Sequence, residues 1–270
     1  MSGTSNRPQQ DSDETTAGII AAARVGYFTR DYAQLTKSEA VQAMTREAWL
    51  ACSDPLAMLC FLHGRGSGRK FRLFATACAR DEFAHGTIPE DECPSEFLPQ
   101  YYAAIQAAEA FADGGPALTW EGGLECRQHW VAEPLCDVIT NEDIAHSALG
   151  FNADVGLWVR PIEETVPKII SRYRTHPAHY LRDIFGFVFH QGALSPALLT
   201  WHEGVVVRLA QAVYDERLLP VGALDPARLA VLADALEEAG CTDQEILSHC
   251  RSPGLHVRGC WVVDLLLDKK

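Results

Sequence analysis

The chain has 270 residues, 47% of them hydrophobic, a formal net charge of -13 and nine cysteines. That hydrophobic share fills the core of one large domain or two small ones. The acidic balance excludes a general nucleic-acid binder and a basic membrane-surface protein, and it leaves room for basic protein partners.

No apolar run approaches the length of a membrane span, and the mildly apolar residues 18–25 follow acidic residues, unlike a secretory signal. Nine is an odd cysteine count without framework spacing, so the expectation is a cytoplasmic protein with reduced thiols. Residues 1–16 are polar and read as disordered. Residues 17–41 read as one or two helices broken near Gly26 and Thr36. Their aromatics Tyr27, Phe28 and Tyr32 are expected to dock on the protein's own body. Residues 45–51 predict a helix, and Ser53-Asp54-Pro55 starts another that runs to about His63.

Residues 64–70, Gly-Arg-Gly-Ser-Gly-Arg-Lys, are basic and glycine-rich. A phosphate loop needs glycine before its lysine and a hydroxyl after it. Here Arg69 precedes Lys70 and Phe71 follows, so the reading is a solvated turn. Phe71, Leu73, Phe74, Ala77 and Cys78 continue as a core helix. Residues 86–94 read as a loop and 95–113 as a helix. The stretch 114–150 contains Cys126-x-x-His129 with Cys136 and His146 further on. One tight pair with stray partners is a weak zinc signal, and buried thiols with surface histidines are preferred.

Residues 155–174 look helical with a bend near Pro161, residues 176–179 form a turn, and 180–189 are core. Residues 200–217 predict a long helix with Val205, Val206, Leu209 and Val213 on one face. Asp225-Pro226 caps and opens a helix that Gly240 stops. Thr242 to Glu245 reads as a capping box for a helix whose buried face is Ile246, Leu247 and Cys250. Residues 256–267 are apolar on nearly every side. Val262 and Val263 favour a strand, but the helical neighbours decide for a helix. No repeat and no alternating strand set is visible, so the fold class is all-α: a compact array of helices with a C-terminal helical module. The division expected is an N-terminal extension at 1–44, partly disordered, a helical domain at 45–175 and the C-terminal module at 176–270.

Two long stretches resemble a known pattern. LADALEEAGCTDQEILSHCR and HVRGCWVVDLLL look like the C-terminal signature of an uncharacterised bacterial family of paralogues. TREAWLACSDPLAMLCFLHGRGSGRKFRLFATACAR, residues 45–80, looks like its N-terminal signature, and residues 181–186 and 201–217 extend the likeness. The resemblance brings no activity, cofactor or site residue with it. Residues 1–44 and much of the middle lie outside it.

No nucleophile elbow, phosphate loop or dinucleotide fingerprint is present. Asp264 sits inside an apolar run and needs charged partners. Arg258 and Arg251 are the nearest in sequence, and a salt bridge locking the C-terminal element is favoured over catalysis. Trp261 is expected to anchor the core of the module.

The candidate metal ligands are His249, Cys250, His256 and Cys260. Cys241 drops out, because a helix separates it from Cys250 by ~13 Å of backbone. His249 and Cys250 point ~100° apart, so only one of them ligates. His256 and Cys260 share a face if their segment is helical, and Asp264 is a possible fourth ligand. The preferred reading is a packed module with no cofactor, and zinc is the alternative. The function expected is a non-catalytic interaction protein, an adaptor or regulatory subunit with a protein partner and no nucleic acid or membrane. The alternative is a metal- or thiol-dependent enzyme using the clustered Cys and His residues.

Overall fold

The structure is a computed structural model, and it describes residues 37–85, 95, 98–115, 177–190, 192 and 194–270. The expectations for residues 1–36, for the loop at 86–94, for the Cys126, His129, Cys136 and His146 spacing and for the helix at 155–174 lie outside the described residues. Every regular element among the described residues is helical, and the β pairing there is limited to two isolated bridges, Leu218 with Ala223 and Ala223 with Val257. The fold is all-α. No helix among the described residues is long and apolar enough to cross a membrane.

The chain divides into two compact units at Arg65 and Gly66, inside the glycine-rich segment. In the first unit, α1 is Glu39–Gln42, α2 is Arg46–Ala51 and α3 is Pro55–Leu62. Thr45 caps α2 by accepting a hydrogen bond from the Ala48 amide, and Asp54 accepts one from Ala57 at the head of α3. The Trp49 and Phe61 rings pack 5.8 Å apart, and Arg65 bonds Gln42 at 2.8 Å.

The second unit begins with α4, Gly68–His85, which packs along α5, Leu98–Ala112. Leu73, Phe74, Ala77 and Cys78 of α4 are buried, as their spacing predicts. Arg69 and Lys70 are helical rather than part of a solvated turn, and both reach a buried carboxylate. Next comes α6, Pro177–Phe185, and a 3-10 turn at Gly186–Val188. Residues 177–179, expected in a turn, form its first turn because proline suits a helix start.

α7 is Pro196–Thr200 and α8 is Val205–Asp215. The single long helix expected over 200–217 is therefore broken. His202, Glu203 and Gly204 all take positive φ, so residues 201–204 turn the chain before α8 starts. The buried face of α8 is Val206, Ala210, Val213 and Tyr214, with Leu209 partly buried beside it.

α9, Pro226–Glu238, has the expected Asp225 cap, and Gly240 follows it with a φ of 92°. α10 is Gln244–Cys250, and its cap is Asp243 rather than Thr242. The Asp243 carboxylate accepts from the amides of both Glu245 and Ile246. α11 is Trp261–Leu266. The helix expected from 256 is thus shorter. His256 and Val257 are extended, with Leu224 N–H donating to the His256 carbonyl and Val257 bridged to Ala223. Gly259 then turns the chain with a φ of 93°, where a side chain would strain the backbone and press on Leu73.

The apolar core of this unit joins α8, α9, α10 and α11, with Leu229, Leu232, Leu236, Ile246, Leu247 and Val262 at its centre. Trp261 lies in it at 5% exposure, as expected. Beside this core runs a buried ionic network. Asp264, 1% exposed, accepts a two-pronged bond from Arg69 at 2.7 and 3.0 Å and pairs with Lys70. Lys70 also donates to the Gly259 carbonyl at 2.8 Å. The salt bridge expected at Asp264 is therefore present, but its partners come from α4. Arg258 pairs with Asp113, and Arg251 pairs at the surface with Asp234 and Glu237. Tyr214 donates to Asp113, while Arg80 and Arg217 each grip Glu109 with two bonds of 2.8–3.0 Å. A buried carboxylate with two guanidinium forks has its lone pairs satisfied, which is the condition for keeping the charge.

Candidate metal centre

Three pieces of the second unit converge on one buried point. α6 contributes Asp183, α10 contributes His249, and the turn between His256 and α11 contributes His256 and Cys260. One ligand-capable atom from each of the four lies within 4.8 Å of each of the others. Asp183 is 2% exposed, His256 3% and Cys260 0%, whereas the His249 side chain is 17% exposed.

Local sequence explains how each arrives. On α6, His179 and Asp183 are four residues apart and share a face. The His179 imidazole bonds the Leu255 carbonyl at 2.6 Å, and Asp183 Oδ2 accepts the Val257 amide at 2.8 Å. The helix thereby holds the extended segment 255–257 against itself. His256 Nδ1 meets Asp183 Oδ1 at 2.6 Å, and its Nε2 lies 3.0 Å from Ser252 Oγ. His249 Nε2 lies 3.1 Å from Asp183 Oδ1 and 3.2 Å from Cys260 Sγ. On the other side of that ring, the Trp261 indole N–H donates to His249 Nδ1 at 3.1 Å. The two imidazoles meet edge to face with centroids 4.6 Å apart. Cys260 stands just before α11, and the Gly259 turn carries its sulfur to within 4.0 Å of His256 Nδ1.

Charge is distributed accordingly. Burial works to raise the Asp183 pKa, but the two imidazoles outweigh it and hold the carboxyl well below the usual range. Burial lowers His256, and the Asp183 carboxylate outweighs it, so the His256 pKa is raised. Burial, reinforced by the Asp183 charge, pushes the Cys260 thiol well above its ordinary value, while the amides of Val262 and Val263 act in the opposite direction. Burial pushes Cys250 up to about 12.

Of the four ligand candidates expected from sequence, the structure brings His249, His256 and Cys260 together and leaves Cys250 out. Cys250 faces the apolar core of α9 to α11 instead. Of the neighbours His249 and Cys250, one joins, as the angle between them on a helix requires. Asp264, a possible fourth ligand by its place one turn after Cys260, is held instead in the salt bridge with Arg69 and Lys70. The fourth member is Asp183, which sequence reasoning passed over inside the apolar run 180–189. The signal was present, since a carboxylate between Arg182 and Ile184 in such a run needs partners as much as Asp264 does. His256 and Cys260 do meet, through a turn and not along a helix.

No family model, no curated protein and no solved structure matches this chain.

Proposed function

We propose that this chain is a non-catalytic helical interaction protein, an adaptor or regulatory subunit of a bacterial multiprotein system, and that it belongs to the paralogous family that residues 45–80, 232–251 and 256–267 resemble. The observation that carries the reading is the enclosure of the thiols among the described residues. A thiol enzyme needs an accessible sulfur with a lowered pKa. Among the described cysteines, Cys60, Cys78, Cys241, Cys250 and Cys260 are buried, and Cys52 is half-buried. Burial pushes Cys60 and Cys250 up to about 12. The Asp183 cluster brings together four protein groups, the donor count of a structural metal site, where a catalytic one uses three. The net charge of -13 favours a basic partner.

Two measurements test this together. In the folded protein at neutral pH, a chromogenic disulfide is expected to react with these buried thiols only on unfolding, and purification from the native cell is expected to return a stoichiometric protein partner. One buried thiol reacting far faster than a free thiol, with the chain recovered alone, contradicts the reading and favours the thiol enzyme.

A further inference from the structure

We propose that Asp183, His249, His256 and Cys260 form a four-coordinate structural zinc site. It goes beyond the adaptor reading and does not depend on it.

The donor set suits zinc. One thiolate, two imidazoles and one carboxylate are the groups this ion takes, and four protein ligands make a closed site. Zinc bonds of ~2.0–2.3 Å in a tetrahedron put ligand atoms roughly 3.3–3.6 Å apart. The contacts of 2.6, 3.1, 3.2 and 4.0 Å around the centre bracket that range. The short Asp183–His256 contact opens by side-chain rotation when the proton between them is replaced by an ion. Charge balances as well, since one carboxylate and one thiolate neutralise the two positive charges of zinc in a place where net charge is costly.

The surroundings hold the ligands in register. Val257 N–H occupies Asp183 Oδ2 and leaves Oδ1 to the ion. With zinc on Nδ1, the outer Nε2–H of His256 donates to Ser252 Oγ, 3.0 Å away, the usual arrangement behind a ligating imidazole. The partly exposed edge of His249 supplies the entry path.

Binding releases the Cys260 thiol proton and the His256 Nδ1 proton, and it displaces the proton of His249 from Nε2 to the other ring nitrogen. The outer nitrogen of His249 then has to carry a proton. It faces another donor, the Trp261 indole N–H, so zinc binding breaks that 3.1 Å hydrogen bond. Trp261 is therefore a built-in reporter of the loaded state.

Without metal, the same groups form a hydrogen-bonded cluster in which Asp183 accepts from both imidazoles and from Val257. In that cluster the two imidazole nitrogens nearest the Cys260 sulfur already donate to Asp183, so neither is left to accept the thiol proton. Around a cation all four atoms act as electron-pair donors at once.

The test is elemental analysis of the full chain, purified without chelator and without a histidine tag, followed by replacement of the zinc with cobalt(II). The proposal expects about one zinc per chain, a tetrahedral cobalt spectrum with a thiolate charge-transfer band, and a change in tryptophan emission on loading. Cys260→Ser should lose the charge-transfer band and weaken metal binding at least about tenfold. Cys250→Ser should leave stoichiometry and spectrum unchanged. If Cys260→Ser does not fold, competition of the wild-type chain against a chromophoric chelator reads affinity directly. Wild-type protein that takes up no stoichiometric zinc overturns the proposal. So does a charge-transfer band that survives Cys260→Ser or disappears in Cys250→Ser.

Discussion

Asp183 ties α6 to α10 and to the extended segment before α11 at one buried point. It receives His249, His256 and the Val257 amide, and it does so at 2% exposure. Removing one partner of a buried charged group leaves the other uncompensated, at a cost of about 3–5 kcal/mol. Asp183→Asn, measured by urea unfolding in chelator, is expected to lose an amount in that range. A loss under about 1 kcal/mol would show that the histidines do not depend on it. Trp261 is the apolar counterpart. Its ring lies against His190 and His249, with centroids 5.1 and 5.2 Å away, and Gly186 lies beneath it. Trp261→Ala should cost about 3–5 kcal/mol. A methyl at Gly186 would sit 2.5 Å from the indole, so Gly186→Ala should cost about 1–3 kcal/mol through overpacking. Wild-type unfolding midpoints in both variants would show that the indole is not seated there. The burial of Trp261 was legible in the sequence from its apolar neighbours. The role of Asp183 was not, because its partners lie 66 and 73 residues further on and no local period reports such a meeting.

At the scale of elements, ionic pairs decide how α4 and α5 join the C-terminal helices. Asp264 of α11 is fixed by Arg69 and Lys70 at the head of α4, 195 residues earlier for the Arg69 pair. The buried carboxylate and its structural purpose are legible in the sequence from the apolar run around Asp264, but its partners are not, because they lie far away in the chain and Arg251 and Arg258 lie near. The glycine-rich segment looked like a solvated turn because nothing local shows where Arg69 and Lys70 point. The boundaries of α8 and α11 were misplaced for a related reason. Apolar spacing continues through residues 201–204 and 256–260, while positive φ at Gly204 and Gly259 ends the helical path.

Glu109 gives this layer a pH signature. Burial acts to raise its pKa, and the hydrogen-bonded guanidiniums of Arg80 and Arg217 outweigh burial, so the pKa in the folded chain is lowered. A lowered carboxylate adds stability that is fully present above the unfolded value of about 4.3 and is lost as pH falls through the folded value. Wild-type stability is expected to fall as the solution is acidified below that point. Glu109→Gln, less stable at neutral pH, should have a shallower acid limb. An acid limb of equal slope in both would remove Glu109 from the account.

For the molecule as a whole, helical periodicity, proline and glycine stops and the absence of strand alternation were enough to read the all-α class from sequence. Composition set the acidic character and gave no sign of a membrane span. What holds the second unit together is long-range: a helical core, an ionic layer and one buried cluster of Asp, His and Cys. X-ray absorption at the zinc edge of the loaded protein reads the proposed metal shell of this cluster atom by atom. One sulfur at ~2.3 Å and three nitrogen or oxygen neighbours at ~2.0–2.1 Å is the expected shell, with the sulfur lost in Cys260→Ser. A shell without sulfur, or one with two sulfurs, would contradict the assignment of Asp183, His249, His256 and Cys260.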